Sequence, residues 1–472
     1  MITTYSNTMK QILYSGLLFI LVLPGCERSV NDLDEPTFPT NPNVFIDGFS
    51  GGLNYAAFAG SVPAAFQVDT EVTFDNTSSS MRFEIPEVND PRGGYAGGTF
   101  FTSGPRDLSG YNALTFYAKA SESVPMDIVG FGNDLGANTY VASVTDFRVN
   151  SNWNKYIIPI PNPEVLTEEQ GMFFYSFGPI DGKGFTIWID EVKFENLGTI
   201  AQPRFEIFNG EDATTSTFTG VTTSVTGLNS IYNLPDGSDQ LVNASSAYFN
   251  FSTSDETVAT VDESGTITTG VPGSAVITAS VGDIDADGSL TVESRGQFNS
   301  APTPTRDAEN VISVFSDVYD NVDVDYYNGF FNGDGQTTQG GTGPGGADLI
   351  VNENGVINYT QLNFVGIGMF DTVPSIDASE MTHFHVDINV NEAVQSGDFI
   401  RLQLINSVGN SETSGSFTIN SNILLQNTWI SLDIPLSSFS GLSSRSEIGL
   451  IFFISDNSVS NIFVDNIYFY KN

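Results

Sequence analysis

The sequence predicts an all-β protein that contains three successive β-sandwiches. Its 472 residues exceed the ~250 to 300 residues at which a single core stops growing, so several cores are expected. The chain holds 37 Phe, 17 Tyr and 46 Gly. After residue 26, short β-branched and aromatic runs alternate with turn residues, and no long amphipathic helical pattern occurs. One strand motif also occurs twice, which indicates a duplicated module.

The N-terminal region has the layout of a secretory signal. Residues 9–26 read MKQILYSGLLFILVLPGC, in which Lys10 precedes an apolar run too short for a comfortable membrane span. The end of this segment resembles a bacterial lipobox, which implies that Cys26 is acylated and that residues 1–26 are a lipoprotein signal peptide. A plain signal peptide with an incidental cysteine is the alternative. Residues 27–43 are polar and Pro-rich, which predicts a flexible tether.

The repeated motif is TIWIDEVKF at residues 186–194 and NIFVDNIYF at residues 461–469. Further landmarks precede each copy in the same order, namely Asp47, Asp107 and Trp153 before Asp190 of the first copy, and Asp317, Asp377 and Trp429 before Asp465 of the second. Landmarks that recur in one order at nearly equal spacing indicate two copies of one module. We therefore predict two jelly-roll-like β-sandwich modules, at residues 44–197 and 300–472.

The segment between the two modules has a different pattern. Its short β-branched strands are separated by Gly turns at close spacing, which predicts a small sandwich at residues 203–293. The stretches SDETVATVD, GTIT and GSAVITA, within residues 254–279, resemble bacterial immunoglobulin-like domains. That resemblance implies a spacer.

Paired aspartates give each duplicated module a candidate metal site. If the first and last strands of a jelly roll pair, Asp47 lies beside Asp190, and Asp317 lies beside Asp465. Carboxylate oxygens are the ligands that Ca²⁺ prefers. The modules also resemble calcium-containing carbohydrate-binding modules, in which an Asp of the last strand is a structural calcium ligand, and this implies Ca²⁺ at both pairs. The alternative is that each Asp caps a turn or bonds to a backbone amide.

Polar residues on two strands of the last module suggest a ligand-binding surface. In MTHFHVDINV, residues 381–390, alternation sends His383, His385 and Asp387 to the face opposite the core. In FIRLQLIN, residues 399–406, Arg401 and Gln403 point away from the apolar side chains in the same way. We predict a polar row on a broad sheet that hydrogen-bonds sugar hydroxyls. An ordinary solvated face is the alternative.

Aromatic residues in Gly-rich loops supply the second part of such a surface, because sugar rings stack their C–H faces on aromatic rings. The stretch DYYNGFFNGDGQ concentrates four aromatic residues in one loop of the last module, and some of them are expected to anchor it in the core. The candidate stacking residues are Tyr326, Tyr327, Phe330 and Phe331 in that loop, Tyr95 in RGGYAGGTFF, and Trp188 in the repeated strand.

Charge and motif content exclude several function classes. The chain has 16 Lys+Arg against 56 Asp+Glu and a formal charge of −40, which disfavours nucleic acid and anionic lipid surfaces as partners. It has only two histidines, and we find no nucleophile elbow and no closely spaced carboxylate pair of the kind used by glycosidases. We therefore expect no catalytic activity.

The last module supplies the most specific resemblance. From VISVFSDVY through MTHFHVD to VDNIYFY it is similar to modules of marine flavobacterial lipoproteins and of β-glucan-degrading enzymes. The whole chain resembles a surface glycan-binding protein of a Bacteroidetes laminarin utilisation locus. This implies an outer-membrane protein, lipid-anchored and facing the cell exterior, that binds β-1,3-glucan beside a SusC/SusD-like uptake complex. A secreted glycoside hydrolase and a modular adhesin are the alternatives.

Overall fold

The computed structural model describes residues 37–329, 335–351 and 353–472. This part of the chain consists of strands, short 3₁₀ turns and loops, with no α-helix, and it forms several β-sandwich sheets. The predicted all-β fold class is therefore confirmed. In the same residues, no helix is long and apolar enough to cross a membrane. Cys26 and most of the predicted tether lie outside the described residues.

Two compact units make up the structure, and we describe each by itself. The first extends up to Asn138 and includes Asp146–Leu197, and the second contains Thr139–Thr145 and Gly198–Asn472. The strands before residue 200 are β1 (Asn43–Phe45), β2 (Leu53–Ala57), β3 (Phe66–Asp69), β4 (Ser80–Glu84), β5 (Ala96–Arg106), β6 (Ala113–Ala120), β7 (Val124–Phe131), β8 (Ala142–Val149), β9 (Asn154–Pro159), β10 (Glu169–Phe177) and β11 (Thr186–Glu195).

The first sandwich packs two sheets around an aromatic core. One sheet has the order β3-β4-β11-β6-β9, with β1 also paired to β11, and the other contains β2-β5-β10-β7. Inward-facing residues such as Phe83, Phe100, Phe116, Phe173 and Tyr175 are fully or almost fully buried. Burial of these large side chains supplies most of the stabilisation of a sandwich that has no disulfide.

The middle sandwich belongs to the second unit. Its strands are β12 (Ala201–Glu206), β13 (Asp212–Thr217), β14 (Thr222–Ser224), β15 (Asn229–Asn233), β16 (Asp239–Ala244), β17 (Asn250–Thr253), β18 (Ala259–Val261), β19 (Thr266–Thr269), β20 (Gly273–Val281), β21 (Ile284–Asp287) and β22 (Ser289–Ser294). Strands β13-β22-β20-β21-β12-β15-β16 are neighbours in this order, β17 pairs with β20, and β14-β19-β18 form a separate sheet.

The last sandwich completes the second unit. Its strands are β23 (Val311–Phe315), β24 (Leu349–Val351), β25 (Asn354–Tyr359), β26 (Phe364–Gly368), β27 (His383–Val390), β28 (Phe399–Asn406), β29 (Thr413–Asn420), β30 (Trp429–Pro435), β31 (Ile448–Ile454) and β32 (Ile462–Tyr470). The first sheet has the order β24-β25-β32-β27-β30, with β23 on β32, and the second has the order β26-β31-β28-β29. Buried residues of both sheets, among them Phe384, Leu402 and Phe453, form one core.

The sheet that contains the first and last strands has the same strand order in the first and last sandwiches. In each, the opening strand pairs antiparallel with the closing strand, with Phe45 opposite Val192 in one and Val311 opposite Tyr470 in the other. The pairing of first and last strands, which was the condition for bringing the paired aspartates together, is therefore present in both sandwiches. The exact division of the chain into modules remains a prediction.

Candidate functional site

The outer surface of the second sheet of the last sandwich, which we call the β28 face, combines aromatic and polar side chains. Alternation along β28 buries Leu402 and Leu404 in the core and leaves Arg401 and Gln403 partly exposed on the other side. The outward positions are Phe364, Gly366 and Gly368 of β26, Leu450, Phe452 and Ile454 of β31, Arg401 and Gln403 of β28, and Ser416 and Thr418 of β29.

Cross-strand pairing brings the key groups of this face together. Phe452 lies directly opposite Gly366 on one side and Gln403 on the other. Arg401 is two residues from Gln403 on the same strand and lies opposite Ile454, so it is a diagonal neighbour of Phe452. Its guanidinium carbon is 5.7 Å from the Phe399 ring centroid. The guanidinium of Arg401 is partly exposed, and its Nη2 is 3.8 Å from the exposed carboxylate of Asp456. The outward side of this sheet therefore combines an aromatic residue, a guanidinium and an amide on two neighbouring strands.

Tyr326 forms one end of the β28 face. Its carbonyl accepts a hydrogen bond from the Gly368 amide at 2.9 Å, and its ring covers the position where a side chain at 368 would stand. The ring contacts Phe370 edge-on, with a centroid distance of 6.5 Å. Burial, together with the nearby charges of Asp325 and Asp371, raises the pKa of the Tyr326 hydroxyl. Tyr326 therefore stands on the sheet as a neutral, half-buried ring.

The carboxylate of Asp325 fixes the segment beside Tyr326. It accepts backbone hydrogen bonds from Phe370, Asp371 and Thr372, each at 2.8 Å. Burial opposes ionisation of Asp325, but these hydrogen bonds outweigh it and hold the pKa of the carboxyl well below its usual range. The loop that carries Tyr326 is thus attached to the sheet at neutral pH.

Tyr327 points the other way and serves as an anchor. Its hydroxyl donates to the Val314 carbonyl at 2.9 Å, and its ring contacts Phe315 at a centroid distance of 5.7 Å. Burial raises the pKa of this hydroxyl to about 12. Tyr327 therefore lies against the core and not on the β28 face. Phe330 and Phe331 lie outside the described residues.

The single polar row predicted from the sequence is wrong, because its members lie on different sheets. His383, His385 and Asp387 belong to β27 in the first sheet, whereas Arg401 and Gln403 belong to β28 in the second. Strand alternation assigned each residue to the outward side correctly, but it contains no information about which sheet a strand joins.

The polar side chains of β27 are also more buried than those of a solvated sheet surface would be. Asp387 is completely buried and His385 is 7% exposed. The His385 ring stacks on Tyr468 at a centroid distance of 4.4 Å, and His383 stacks on Tyr470 at 4.8 Å. Burial favours the neutral ring of His385, but the carboxylates of Asp387 and Asp433 outweigh this and raise its pKa.

The aspartates of the last sandwich form a repulsive pair. Asp465 is 1% exposed, its Oδ1 accepts a hydrogen bond from the Asn466 amide at 2.7 Å, and its Oδ2 is 3.5 Å from Asn354 Nδ2. Asp317 accepts from the Gly355 amide at 2.8 Å. Burial raises the pKa of Asp465 to about 7, and the charges of Asp317 and Asp387 add to this effect. A cation placed here would relieve the repulsion.

The aspartates of the first sandwich are engaged differently. Asp190 is buried, and it accepts hydrogen bonds from the Phe74 amide at 3.0 Å and the Thr77 hydroxyl at 2.7 Å. Asp47 accepts from the amide and hydroxyl of Ser78 in the same loop. Both carboxylates therefore hold one loop. Within the described residues, no group of three or more His, Cys, Asp or Glu side chains is arranged to hold a metal.

The remaining two predicted residues lie on opposite sheets of the first sandwich. Tyr95 covers Gly97, as Tyr326 covers Gly368, and its hydroxyl donates to the Ala59 carbonyl at 2.9 Å. The sheet beside it is closed, because Thr99 is fully buried and donates to the carbonyl of Asn133 at 2.6 Å. Trp188 donates from Nε1 to Asp69 at 2.9 Å, with Lys119 Nζ 5.7 Å from its ring centroid.

Sequence reasoning missed three residues that matter for the geometry. Phe452 lies in the apolar run GLIFFI, where period-two alternation cannot be seen. Asp433 and Arg306 contact each other at 3.3 Å, and Asp433 also bonds His385. The feature that links Asp433 to the predicted residues is its position opposite His385 across the β27–β30 pair. That position is known only when the strand register is known.

Comparison with known proteins gives likenesses to solved carbohydrate-binding modules. A family 30 module from a cellulosomal cellulase of Clostridium thermocellum is 18% identical and has a TM-score of 0.23, covering 34% of this chain and 96% of that one. A family 11 module of the same organism was solved with a β-1,3-1,4-mixed-linked tetrasaccharide. It is 20% identical and has a TM-score of 0.23, covering 34% of this chain and 96% of that one.

A tandem pair of family 22 modules from Paenibacillus barcinonensis covers 93% of this chain and 99% of that one, at 11% identity and a TM-score of 0.20. No family model matches the sequence, and no curated protein matches it. TM-scores this low assign the chain to no family.

Proposed function

We propose that the protein is a non-catalytic polysaccharide-binding protein and that the β28 face of the last sandwich is its binding surface. The observation that carries this proposal is the strand register, which places Phe452 directly opposite Gln403 and diagonal to Arg401 on the outward side of one sheet. An aromatic ring stacks on the apolar face of a sugar, and adjacent donors and acceptors bind its hydroxyls. Tyr326 extends the aromatic part of the surface.

The proposed ligand is laminarin, a β-1,3-glucan. The resemblance of VISVFSDVY and MTHFHVD to modules of β-glucan-binding lipoproteins supports this choice. The formal charge of −40 also favours a neutral glycan over an anionic one, because like charges repel at long range.

The first sandwich is the weaker candidate for glycan binding. On the sheet that carries Tyr95, Thr99 is fully buried beneath the segment that contains Asn133, so this part of the surface is covered. We therefore expect one principal site per chain, on the last sandwich.

We further propose that the protein acts at the cell surface. The lipobox-like end of residues 9–26 supports acylation at Cys26 and a lipid anchor in the outer membrane, with the sandwiches facing the exterior. A SusC/SusD-like complex is the proposed partner for uptake of the captured glycan. These points rest on the sequence resemblance.

A structural Ca²⁺ at Asp317 and Asp465 is also part of the proposal. The residues fit a hard cation, because two neighbouring carboxylates repel each other there and, among the described residues, the second oxygen of Asp465 has only a long contact to Asn354. Such an ion would tie the first strand to the last. Asp47 and Asp190 are the weaker pair, since hydrogen bonds to one loop already engage them.

Calorimetric titration of laminarin, with an assay for new reducing ends in the same samples, tests the proposed function. We expect saturable binding with no reducing ends released. Release of reducing ends would instead establish a glycoside hydrolase. Its catalytic carboxylates would then be distant in sequence and brought together by folding. Absence of binding to laminarin and to a panel of other soluble glycans would favour the adhesin alternative.

A further inference from the structure

A polar cavity lies on the first sheet of the last sandwich, away from the β28 face. It has a volume of about 500 Å³ and lies between the segment 302–307 and the strands β27, β30 and β32. His385 and Asp387, two residues apart on β27, form part of its wall, and their side chains are 9% and 1% exposed. The glycan-binding proposal does not use this cavity.

In each of these two side chains, one polar atom is engaged by a neighbouring residue. Nδ1 of His385 is 2.9 Å from Oδ1 of Asp433, and Nδ2 of Asn466 donates to Oδ2 of Asp387 at 2.8 Å. Stacking on Tyr468, with an interplanar angle of 12°, fixes the plane of the His385 ring. These contacts leave Nε2 of His385 and Oδ1 of Asp387 as the two atoms presented to each other.

Those two atoms are 3.4 Å apart. Oδ1 of Asp387 is buried and accepts no hydrogen bond in the part of the chain that the structure describes. When Nδ1–H donates to Asp433, Nε2 carries a lone pair that faces a buried, negatively charged oxygen. Two such atoms repel each other, so this arrangement calls for a positive group between them.

We propose that a divalent transition-metal ion of the zinc class binds between Nε2 of His385 and Oδ1 of Asp387. Zinc–nitrogen and zinc–oxygen bonds of ~2.0 to 2.2 Å at a tetrahedral angle place the two ligand atoms ~3.3 to 3.5 Å apart. The observed 3.4 Å matches this separation.

The surroundings fit the same assignment. A histidine that binds a metal through one ring nitrogen usually donates from the other to a carboxylate, which is the role Asp433 has here. A ring nitrogen selects zinc over Ca²⁺, which prefers oxygen ligands only, so this site is distinct from the Asp317 and Asp465 pair. The described residues supply no third side-chain ligand, and water in the cavity completes the coordination.

The test is a calorimetric titration of ZnSO₄ into the full chain after removal of metals with a chelator, at pH 7.5 and in excess CaCl₂. The titrated protein carries Cys26→Ser, because a free thiol also binds zinc. We expect one saturable site per chain, weakened at least tenfold by Asp387→Asn and by His385→Gln. The matched control is His383→Ala, on the same strand, which leaves zinc binding unchanged.

Three results would overturn the proposal. The first is the absence of saturable zinc binding, which would show that no zinc ion bridges the two side chains. The second is equal zinc affinity in the wild type and in both site variants. The third is loss of binding in His383→Ala. Far-ultraviolet circular dichroism establishes that each variant is folded, and the two site variants are independent, so failure of one to fold leaves the other as the test.

Discussion

The ring of Tyr326 packs directly on Gly368, so that even a methyl group at residue 368 would overlap the ring. Tyr95 and Gly97 have the same relationship in the first sandwich. In both cases the aromatic ring occupies the space above a sheet residue that has no side chain. In the first sandwich, the surface beside Tyr95 is covered, because Thr99 is fully buried and donates a hydrogen bond to the Asn133 carbonyl.

Replacement of Gly368 by Ala is expected to displace Tyr326 from the β28 face and to lower laminarin affinity at least tenfold. The reason is steric, since the added methyl group takes the space of the ring. Calorimetric titration of laminarin measures the change. Gly104→Ala, at a position with open space, is the matched control and is expected to bind as the wild type does. Unchanged affinity in Gly368→Ala would remove Tyr326 from the binding surface.

Arg401→Ala and Gln403→Ala are each expected to weaken laminarin binding. Loss of a hydrogen bond to a charged donor costs about 1.5 to 3 kcal/mol, or about tenfold to a hundredfold in affinity, and loss of a neutral one costs less. His383→Ala, on the opposite sheet, is the control and should leave the affinity unchanged. A larger effect from His383→Ala than from Arg401→Ala would move the site to the first sheet.

Tyr327→Phe is expected to lower stability without changing glycan affinity. The variant leaves the Val314 carbonyl without its hydrogen bond, which costs about 1 kcal/mol of the free energy of unfolding. Urea denaturation and laminarin titration of the same protein separate the two effects. A fall in affinity with no change in stability would place Tyr327 on the binding surface after all.

These contrasts show what strand alternation can and cannot predict. It placed His385, Asp387, Arg401 and Gln403 outside the core, because side chains alternate across any strand. It could not show that β27 pairs with β32 while β28 pairs with β31, since pairing depends on contacts between residues far apart in sequence.

The duplicated landmarks predicted the fold more reliably than they predicted the site. Asp190 and Asp465 marked the same strand in both sandwiches, the closing strand, which pairs with the opening strand in each. Adjacent loop residues such as Tyr326 and Tyr327 looked alike in the sequence, yet one covers the sheet and the other enters the core. Only the path of the loop distinguishes them.

Calcium is expected to raise the thermal unfolding midpoint of the chelator-treated protein. A ligand at one hundred times its Kd stabilises the folded state by about 2.7 kcal/mol. Asp465→Asn should abolish the calcium response, whereas Asp190→Asn should leave most of it in place. Differential scanning calorimetry with and without CaCl₂ measures this. A calcium response that survives Asp465→Asn would contradict the assignment.

The first sandwich should become less stable as the pH rises from 4.5 to about 7, the range in which Glu169 loses its proton. Burial raises the pKa of this 6% exposed carboxyl from 4.5 to about 7, and hydrogen bonds from Gly171 and Gln170 oppose the shift. Between these two pH values the folded state keeps a proton that the unfolded state has lost, so the free energy of unfolding falls as pH increases.

Glu169→Gln removes this titration. At pH 8 the variant is expected to be more stable than the wild type by up to about 3 kcal/mol, because no buried charge forms, and at pH 4 the two should be similar. Urea denaturation of both proteins at the two pH values gives the difference directly. A variant less stable than the wild type at pH 8 would show that the ionised carboxylate stabilises the fold.

The most direct test of the central claim is calorimetric titration of laminarin into the full wild-type chain and into Phe452→Ala. The β28 face predicts saturable binding at one site per wild-type chain and at least tenfold weaker binding by the variant, with both proteins folded. Equal affinity in the two proteins would contradict the claim and place any glycan site elsewhere on the molecule.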